Sequence, residues 1–337
     1  MANQELTIRI LSETEYSLWD ELVRESSLGT VFQTSCYLKC VQKSFARPAE
    51  IVGVFRRQHL WGGTILLPRQ KFGIQYASTP FYLPYNGIVL NDFSAKQFYF
   101  HRIEWQNRVL LLLLQFLEKK YAFVDLHLHA RFPDVRPLAW KGWDFMPEIT
   151  AVSYLQEDLQ SLMERDQRRR LRRLEEKHPI FADNCPSETL VQLWQASYLR
   201  HHKKPPLPPD ALRNFAQLLV KRNVARIWGL KIGNEWTTAV LVVEDADTVY
   251  AMFSGRSARV GLSSEELYLF YRVMEAYRKA GKRKMDFLGA MEPSIAKVKL
   301  EMGSRLQRSD RIRYYRNPFL KIVAGWMEHR RRSKRAL

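Results

Sequence analysis

A carboxylate, a glycine turn and a pair of lysines lie close together in the segment KMDFLGAMEPSIAKVKLEMGS, residues 284–304. The pattern predicts a strand that ends near Asp286, a turn at Gly289, and a helix that carries Lys297 and Lys299. Junctions between a strand and a helix gather backbone N–H groups that can hold an anionic ligand. The alternative is structural, with Gly289 making a tight turn and the lysines forming a hydrated helix face. On these residues alone, the structural alternative is favoured.

A run of arginines in the segment ERDQRRRLRRLEEKHPI, residues 164–180, is the second set of groups that could bind a ligand. Leu171 and Leu174 give this run one apolar edge, which predicts a helix crossing between the halves of the chain. Arginines on such a helix can bind phosphates, whereas i, i+4 pairs with Glu175 and Glu176 would make it a hydrated face. These arginines are Arg165, Arg168, Arg169, Arg170, Arg172 and Arg173.

Metal binding and covalent catalysis have weaker support. His127 and His129 are two apart on a predicted strand and share a face, but no third ligand accompanies them, so a polar strand face is favoured. Only three cysteines occur, which fits a reducing cytoplasm and small buried side chains. Cys185 has no evident base beside it, which disfavours it as a nucleophile. No metal is expected.

The composition indicates a globular protein with anionic partners. The chain has 337 residues, 46% of them hydrophobic, with a net charge of +18 and a pI near 9.9. The length suits two domains, and the charge suits nucleic acid, phosphorylated cofactors or an acidic membrane surface. The longest apolar run, residues 109–117, is too short to span a bilayer, and the start lacks a secretion pattern. The sequence therefore predicts a soluble, cytoplasmic protein.

The order of predicted elements indicates a duplicated α+β unit. The first half has a hairpin turning around residues 57–59, a helix from about 94 to 120, and the strand YAFVDLHLH. The second half has two helices, a three-stranded meander, and a long helix stopped by Gly281. A strand, the helix behind Gly289 and a final strand complete it. The predicted boundaries are 1–160 for a first domain, 161–180 for the crossing helix, 181–316 for a second domain and 317–337 for a tail.

The tail, residues 317–337, is predicted to be an amphipathic basic helix. Asn317 and Pro318 form a helix start, and the apolar residues that follow gather on one face: Phe319, Leu320, Ile322, Val323, Trp326 and Met327. An aromatic apolar face with a basic end suits peripheral contact with an anionic membrane. A helix docked on the protein body with a frayed basic end is the alternative, and it is slightly favoured.

The order and spacing of four segments resemble the double-GNAT acyltransferases, and within them the FemAB-type and CelD-like (cellulose biosynthesis) acetyltransferases. The segments are GTVFQTSCYLKCV, STPFYLPYNGIVL, the arginine run, and the closing motif with its Asp-Phe strand, Gly-Ala turn and helical lysine. The resemblance spans nearly the whole chain. It implies an α+β fold of two tandem GNAT-like domains with mixed sheets flanked by helices.

The resemblance also implies roles for particular residues. Lys299 would hold a reacting carbonyl or a phosphate, and Asp286 would orient the turn. Asp92 stands near the position of an acidic general base, displaced by a residue or two. The remaining positions implied to bind the donor or the acceptor are Arg168, Arg172 and Gly289 for the donor, and Tyr85, Asn86 and Asp286 for the acceptor.

The function that the resemblance implies is acyl transfer from acyl-CoA to an amine or hydroxyl of a small-molecule, saccharide or peptidoglycan-precursor acceptor in the cytoplasm, at or near the inner face of the membrane. A first alternative is a FemAB-type peptidyltransferase that uses aminoacyl-tRNA. A second is a non-catalytic module of the same fold that binds nucleic acid or a membrane surface. Val298 replaces the phenylalanine usual before the closing lysine, and the coiled-coil arm of some members is absent. These departures leave the acceptor open.

Overall fold

The computed structural model describes residues 6–92, 98–257 and 263–326. The strands in chain order are β1 (Leu6–Ile10), β2 (Glu50–Arg56), β3 (His59–Leu66), β4 (Pro68–Lys71), β5 (Ile74–Ala77), β6 (Ile88–Leu90), β7 (Phe123–His127), β8 (Asp144–Tyr154), β9 (Ile180–Ala182), β10 (Ala225–Ile232), β11 (Glu235–Glu244), β12 (Thr248–Arg256), β13 (Lys284–Asp286) and β14 (Arg305–Tyr315).

The helices are α1 (Tyr16–Glu25), α2 (Ser35–Phe45), α3 (Tyr99–Lys120), α4 (Arg136–Trp140), α5 (Leu159–Leu162), α6 (Arg165–Glu175), α7 (Ser187–Arg200), α8 (Pro209–Lys221), α9 (Ser263–Lys279), α10 (Pro293–Glu301) and α11, described over residues 318–326. Of these described helices, none is long and apolar enough to cross a bilayer.

The chain divides into two compact units. The first unit holds residues 1–42, 46–147 and 309–337, and the second holds 43–45 and 148–308. Residues 309–337, which include the second half of β14, belong to the first unit in this division. The boundaries predicted from the sequence instead placed residues 181–316 in a second domain and 317–337 in a separate tail. Those boundaries stay a prediction.

The first unit packs helices against two sets of strands. β1, β2, β3 and β6 pair antiparallel in that order. In the other set β4 and β5 form a hairpin, β5 runs parallel to β7, and β7 pairs antiparallel with residues 311–315 of β14. The apolar run of α3 forms the centre of the core, because Leu110, Leu113 and Leu117 are fully buried there.

The second unit is a mixed sheet with helices packed against it. β9, β10, β11 and β12 pair antiparallel in succession, β12 runs parallel to β13, and β13 pairs antiparallel with β8. The parallel pair is joined through α9, so β12, α9 and β13 form a crossover unit. The end of β13 lies part-way along β12, because Asp286 pairs with Tyr250 and β12 continues to Arg256.

Several predicted elements are confirmed. The first hairpin turns between Arg56 and His59, and the meander is β10 to β12. Gly281 ends α9 with a φ of 82°, and the N–H of Lys282 donates to the carbonyl of Tyr277, as in a Schellman motif. The long first-half helix begins at Tyr99; its predicted start, residues 94–97, lies outside the described residues.

Candidate active site

The turn that follows β13 is held by Lys299. Its Nζ donates to the carbonyl oxygens of Phe287 at 2.9 Å and Gly289 at 2.7 Å, and also to that of Leu288. An ammonium group has three hydrogens to donate, so these three carbonyls use all of them. The family resemblance implies that Lys299 holds a reacting carbonyl or a phosphate. In the structure, Lys299 binds carbonyl oxygens of its own chain.

Burial lowers the pKa of Lys299 to about 8 from its ordinary value of 10.5, because the charged form is desolvated. The nearby carboxylates of Asp286 and Glu266 act in the opposite direction and favour the charged form. Lys299 is thus a half-buried amine close to two carboxylates, and a much larger fraction of it is neutral at mildly alkaline pH than for an exposed lysine.

Asp286 fixes the other side of the same turn. Its buried carboxylate accepts hydrogen bonds from the Thr150 hydroxyl and from the N–H of Leu288, the latter at 2.7 Å. Leu288 has a φ of 53°, a left-handed conformation that a leucine rarely adopts. The sequence interpretation assigned the turn to the conformational freedom of Gly289. The residue with positive φ is Leu288, which the bonds from Asp286 and Lys299 stabilise.

Gly289 offers a backbone donor at the surface of this turn. The N–H of Phe287 donates to Ala151, that of Leu288 to Asp286, and that of Ala290 to Ile149. The exposed Gly289 has no such acceptor among the described residues. A Cβ built on Gly289 would meet no atom within 4 Å, so the space beside its Cα is open.

Glu266 is a carboxylate near the same turn that the sequence analysis missed. It lies in the first turn of α9, and its Oε1 is 3.4 Å from the Ser254 hydroxyl while its Oε2 is 3.9 Å from Nε of Arg256. Its charge acts on the pKa of Lys299. The available signal was topological, because α9 follows β12 and leads the chain back to β13, which runs parallel to β12.

Arg168 and Arg172 lie on α6, which packs through buried Leu171 and Leu174 as predicted. Nε2 of Gln167 is 2.6 Å from a carboxylate oxygen of Glu301, the last residue of α10. Arg168 is half-buried and Arg172 is exposed. Neither forms an ion pair within the described parts of the chain, and the pairs proposed with Glu175 and Glu176 do not form there.

The three other predicted site residues lie in the first unit. Asn86 is buried, and its Oδ1 accepts from the Thr79 hydroxyl at 2.8 Å and from the N–H of His127 at 3.0 Å. The Tyr85 ring packs against the imidazole of His127, with centroids 5.0 Å apart. These contacts join the loop before β6 to β7.

Asp92, the predicted general base, lies just after β6 in the first unit. Its carboxylate accepts hydrogen bonds from the backbone N–H and the hydroxyl of Ser27, at 2.5 and 3.1 Å. Both carboxylate oxygens of Asp92 thus hold the loop that follows α1. Its role as a base stays a prediction.

Metal binding and covalent catalysis, the other chemistries considered from the sequence, are not supported by the arrangement of the described residues. Within the described residues no group of three or more His, Cys, Asp and Glu is placed to hold a metal. Nε2 of His127 is 2.7 Å from the Ser309 hydroxyl, and burial lowers the pKa of this imidazole to about 4. Burial raises the pKa of Cys185 to about 12, so its reactive thiolate form is strongly disfavoured.

The two units and the turn after β13 define a tandem GNAT fold of α+β class. Residues 163–293 match the family described as Acetyltransferase (GNAT) domain, and no curated protein matches the sequence. The structure resembles the crystal structure of FemX, with a TM-score of 0.70 and 12% identity over 94% of this chain and 99% of that one. The resemblance proposed from the sequence is therefore confirmed at the level of the fold.

Two further structures are similar. One is a tandem GNAT protein from the clavulanic acid biosynthesis pathway, with a TM-score of 0.56 and 12% identity over 93% of this chain and 99% of that one. The other is the C-terminal domain (DUF2156) of a protein described as a lysylphosphatidylglycerol synthetase, from Agrobacterium fabrum. Its TM-score is 0.51 and its identity 11%, over 75% of this chain and 81% of that one.

Proposed function

We propose that this chain is an acyltransferase that moves an acyl group from acyl-CoA to an amine or hydroxyl of a cell-envelope or polysaccharide precursor. The observation that carries the proposal is the turn after β13, where Lys299 and Asp286 fix three consecutive residues and leave the N–H of Gly289 exposed. This turn lies within the segment that matches the GNAT acetyltransferase domain.

In this proposal the fixed turn stabilises the negative charge that develops during transfer. Acyl transfer to an amine needs a polarised donor carbonyl, a neutral amine and their alignment. The N–H of Gly289 donates to the carbonyl oxygen of the thioester or to a donor phosphate. Lys299 acts as a positioning residue, because its own hydrogens hold the carbonyls on either side of that N–H.

Glu266 is the residue we assign as proton acceptor for the incoming amine. As the new C–N or C–O bond forms and the C–S bond breaks, the acceptor's proton passes to this carboxylate and the CoA thiolate leaves. Asp92 keeps its place as the base implied by the resemblance, and the two assignments are separable by mutation. Arg168 and Arg172 are assigned to donor phosphates, since arginine binds phosphate well and neither has an ion-pair partner in the described chain.

Aminoacyl-tRNA is the alternative donor. The structural likeness to FemX over nearly the full length of both chains and the net charge of +18 favour it, since tRNA is a polyanion. The sequence contains no insertion that would add tRNA contacts, so we place acyl-CoA first. A non-catalytic module of the same fold remains the third reading, and the exposed arginines of α6 would then bind nucleic acid.

A binding experiment separates these readings. The melting temperature is measured with coenzyme A, with several acyl-CoAs, and with charged and uncharged tRNA. A ligand at 100 times its Kd adds about 2.7 kcal/mol to the native state, which corresponds to a rise of about 5 to 10 °C for units of this size. A rise with acyl-CoA supports the proposal. A rise with charged tRNA alone would replace the donor, and equal binding of both tRNA forms without transfer would favour the non-catalytic module.

Acyl transfer is then compared in Lys299→Ala, Glu266→Gln and Asp92→Asn, with Lys297→Ala as matched control. Lys297 lies on the same helix, is exposed, and pairs only loosely with Glu301 at 3.9 Å. Loss of transfer in Lys299→Ala but not in Lys297→Ala is expected. Unchanged transfer in both Lys299→Ala and Glu266→Gln would contradict the site assignment.

A further inference from the structure

The hairpin of β4 and β5 carries an aromatic side chain at a position that its own turn disfavours. Lys71 pairs with Ile74, and the two residues between them, Phe72 and Gly73, have φ values of 51° and 76°. Two left-handed residues define a type I′ turn, which strongly prefers Asn-Gly. A bulky side chain in this conformation is strained, and the Phe72 side chain is 91% exposed. Neither the turn nor the core explains a phenylalanine here.

The helix α11 adds a second set of exposed apolar side chains in the same unit. Asn317 caps it, since its Oδ1 accepts from the N–H of Leu320 at 2.9 Å. Leu320, Val323 and Ala324 are half-buried. The opposite side of the helix exposes Phe319, Ile322 and Trp326, which are 70%, 69% and 57% accessible. The sequence pattern predicted one apolar face; the structure divides the five described residues of that set between a half-buried side and an exposed side, and Met327 lies outside the described residues.

A cavity of about 570 Å³ joins the hairpin to the start of α11. Gly73, Ile74 and Gln75 line one part of it, and Asn317, Phe319 and Leu320 line another. The rest of its lining consists of three basic residues, Lys119, Lys120 and Arg316, together with Ala122. We call the hairpin tip, this cavity and the exposed side of α11 the hairpin–helix face.

The charge around the hairpin–helix face is positive. Lys120 pairs with Glu50 at 2.7 Å and Lys321 with Asp144 at 2.8 Å. Lys71 and Lys119 have no carboxylate partner in the described parts of the chain. Beyond residue 326 the sequence adds five basic residues and one acidic residue, whose placement lies outside the described residues: Glu328, Arg330, Arg331, Arg332, Lys334 and Arg335.

We propose that the hairpin–helix face docks the first unit on an anionic phospholipid bilayer. Phe72, Phe319 and Trp326 enter the boundary between headgroups and acyl chains, where aromatic side chains are favoured. The basic residues of the cavity bind lipid phosphates, each cation near the surface adding to the attraction. A second copy of this chain fits the face less well, since pairing would bring two positive surfaces together. The inference does not depend on the proposed acyl transfer.

The test is co-sedimentation of the full-length protein with two kinds of vesicle. One contains phosphatidylcholine with about 30% of the anionic lipid phosphatidylglycerol, and the other contains phosphatidylcholine alone. Binding to the anionic vesicles and its loss at high salt are expected. Phe72→Asn, and separately the double variant Phe319→Ser/Trp326→Ser, should each weaken binding by about tenfold, because a large apolar side chain no longer leaves water. Leu199→Ser in the second unit removes an equally exposed apolar side chain, 64% accessible, and should bind as the unchanged protein does.

Phe72→Asn is expected to fold normally, so a loss of vesicle binding by this variant would not be due to misfolding. Asparagine adopts the left-handed conformation more readily than phenylalanine, so this variant should melt at or above the temperature of the unchanged protein. Wild-type vesicle binding by Phe72→Asn and by the folded double variant would overturn the proposal. Equal binding to pure phosphatidylcholine would also overturn it, as would a dimer in light scattering that the same substitutions dissociate. Displacement by soluble glycerol phosphate alone would identify a small-anion site instead of a docking surface.

Discussion

The ammonium group of Lys299 lies 2.9 Å from the carbonyl oxygen of Phe287, so a side chain of α10 closes the turn that follows β13. The buried carboxylate of Asp286 holds the N–H of Leu288 at 2.7 Å from the other side. A positive and a negative group thus fix one short stretch of backbone. In the acyl transfer proposed above, such a fixed turn would stabilise the charge that develops on the donor carbonyl by pre-organisation.

Removing the amine of Lys299 should destabilise the protein. Lys299→Met leaves the carbonyls of residues 287–289 without their donor, and we expect a loss of about 1 to 3 kcal/mol in the free energy of unfolding. Lys297→Met, on the same helix, should change it by less than about 0.5 kcal/mol. Urea unfolding measures both values, and hydrogen exchange should show faster exchange of the turn amides in Lys299→Met only. Equal stability of the two variants would contradict the geometry.

The stability due to Lys299 should depend on pH in a defined direction. Its pKa is about 8 in the folded protein and 10.5 when unfolded, so between these values the unfolded chain holds more protons. The free energy of unfolding of the unchanged protein, minus that of Lys299→Met, should therefore rise as the pH increases from 8 to 10.5. The subtraction removes groups that titrate in both proteins. A difference that is flat or falls over this window would show that burial does not depress the pKa.

Substitution by alanine should lower the free energy of unfolding strongly at Gly255 and hardly at all at Gly289. A Cβ on Gly255 would lie 2.2 Å from the backbone nitrogen of Trp194, so β12 approaches α7 too closely for alanine. Gly255→Ala should cost about 3 kcal/mol or more. Gly289→Ala should leave the free energy of unfolding within about 0.5 kcal/mol, because a Cβ there meets nothing within 4 Å. If Gly289→Ala also lowers acyl-CoA affinity, the proposed approach of the donor to this N–H is supported; unchanged affinity would argue against it.

The first unit should lose stability in acid through His127. Its folded pKa is about 4, below the ordinary 6.5, because the imidazole is buried. Between pH 6.5 and 4 the unfolded chain holds the proton, so the free energy of unfolding should fall as the pH falls through this range. His127→Gln should flatten this part of the profile, whereas His59→Gln, at an exposed position, should not. A profile unaffected by either substitution would mean that another group controls the acid limb.

Local sequence patterns predicted the helices and strands better than the geometry of the turn after β13. Turn residues and hydrophobic periodicity are local features of the sequence. They predicted the hairpin of β2 and β3, the meander of β10 to β12, and the end of α9 at Gly281. The left-handed conformation of Leu288 was not predicted, because leucine rarely adopts it and one of the hydrogen bonds around it comes from Lys299 on a separate helix. The nearness of Glu266 to the turn likewise requires the parallel pairing of β12 and β13, which no local pattern encodes.

The discontinuity of the first unit bears on how the chain is made. Residues 311–315 of β14 pair with β7, although residues 148–308 of the second unit lie between them in sequence. During synthesis the ribosome therefore releases every residue of the second unit before the strand that completes the first. Until then one edge of β7 lacks its partner and can pair with other chains. Nascent chains stalled before residues 311–315 should accordingly need chaperones, because β7 still lacks this partner.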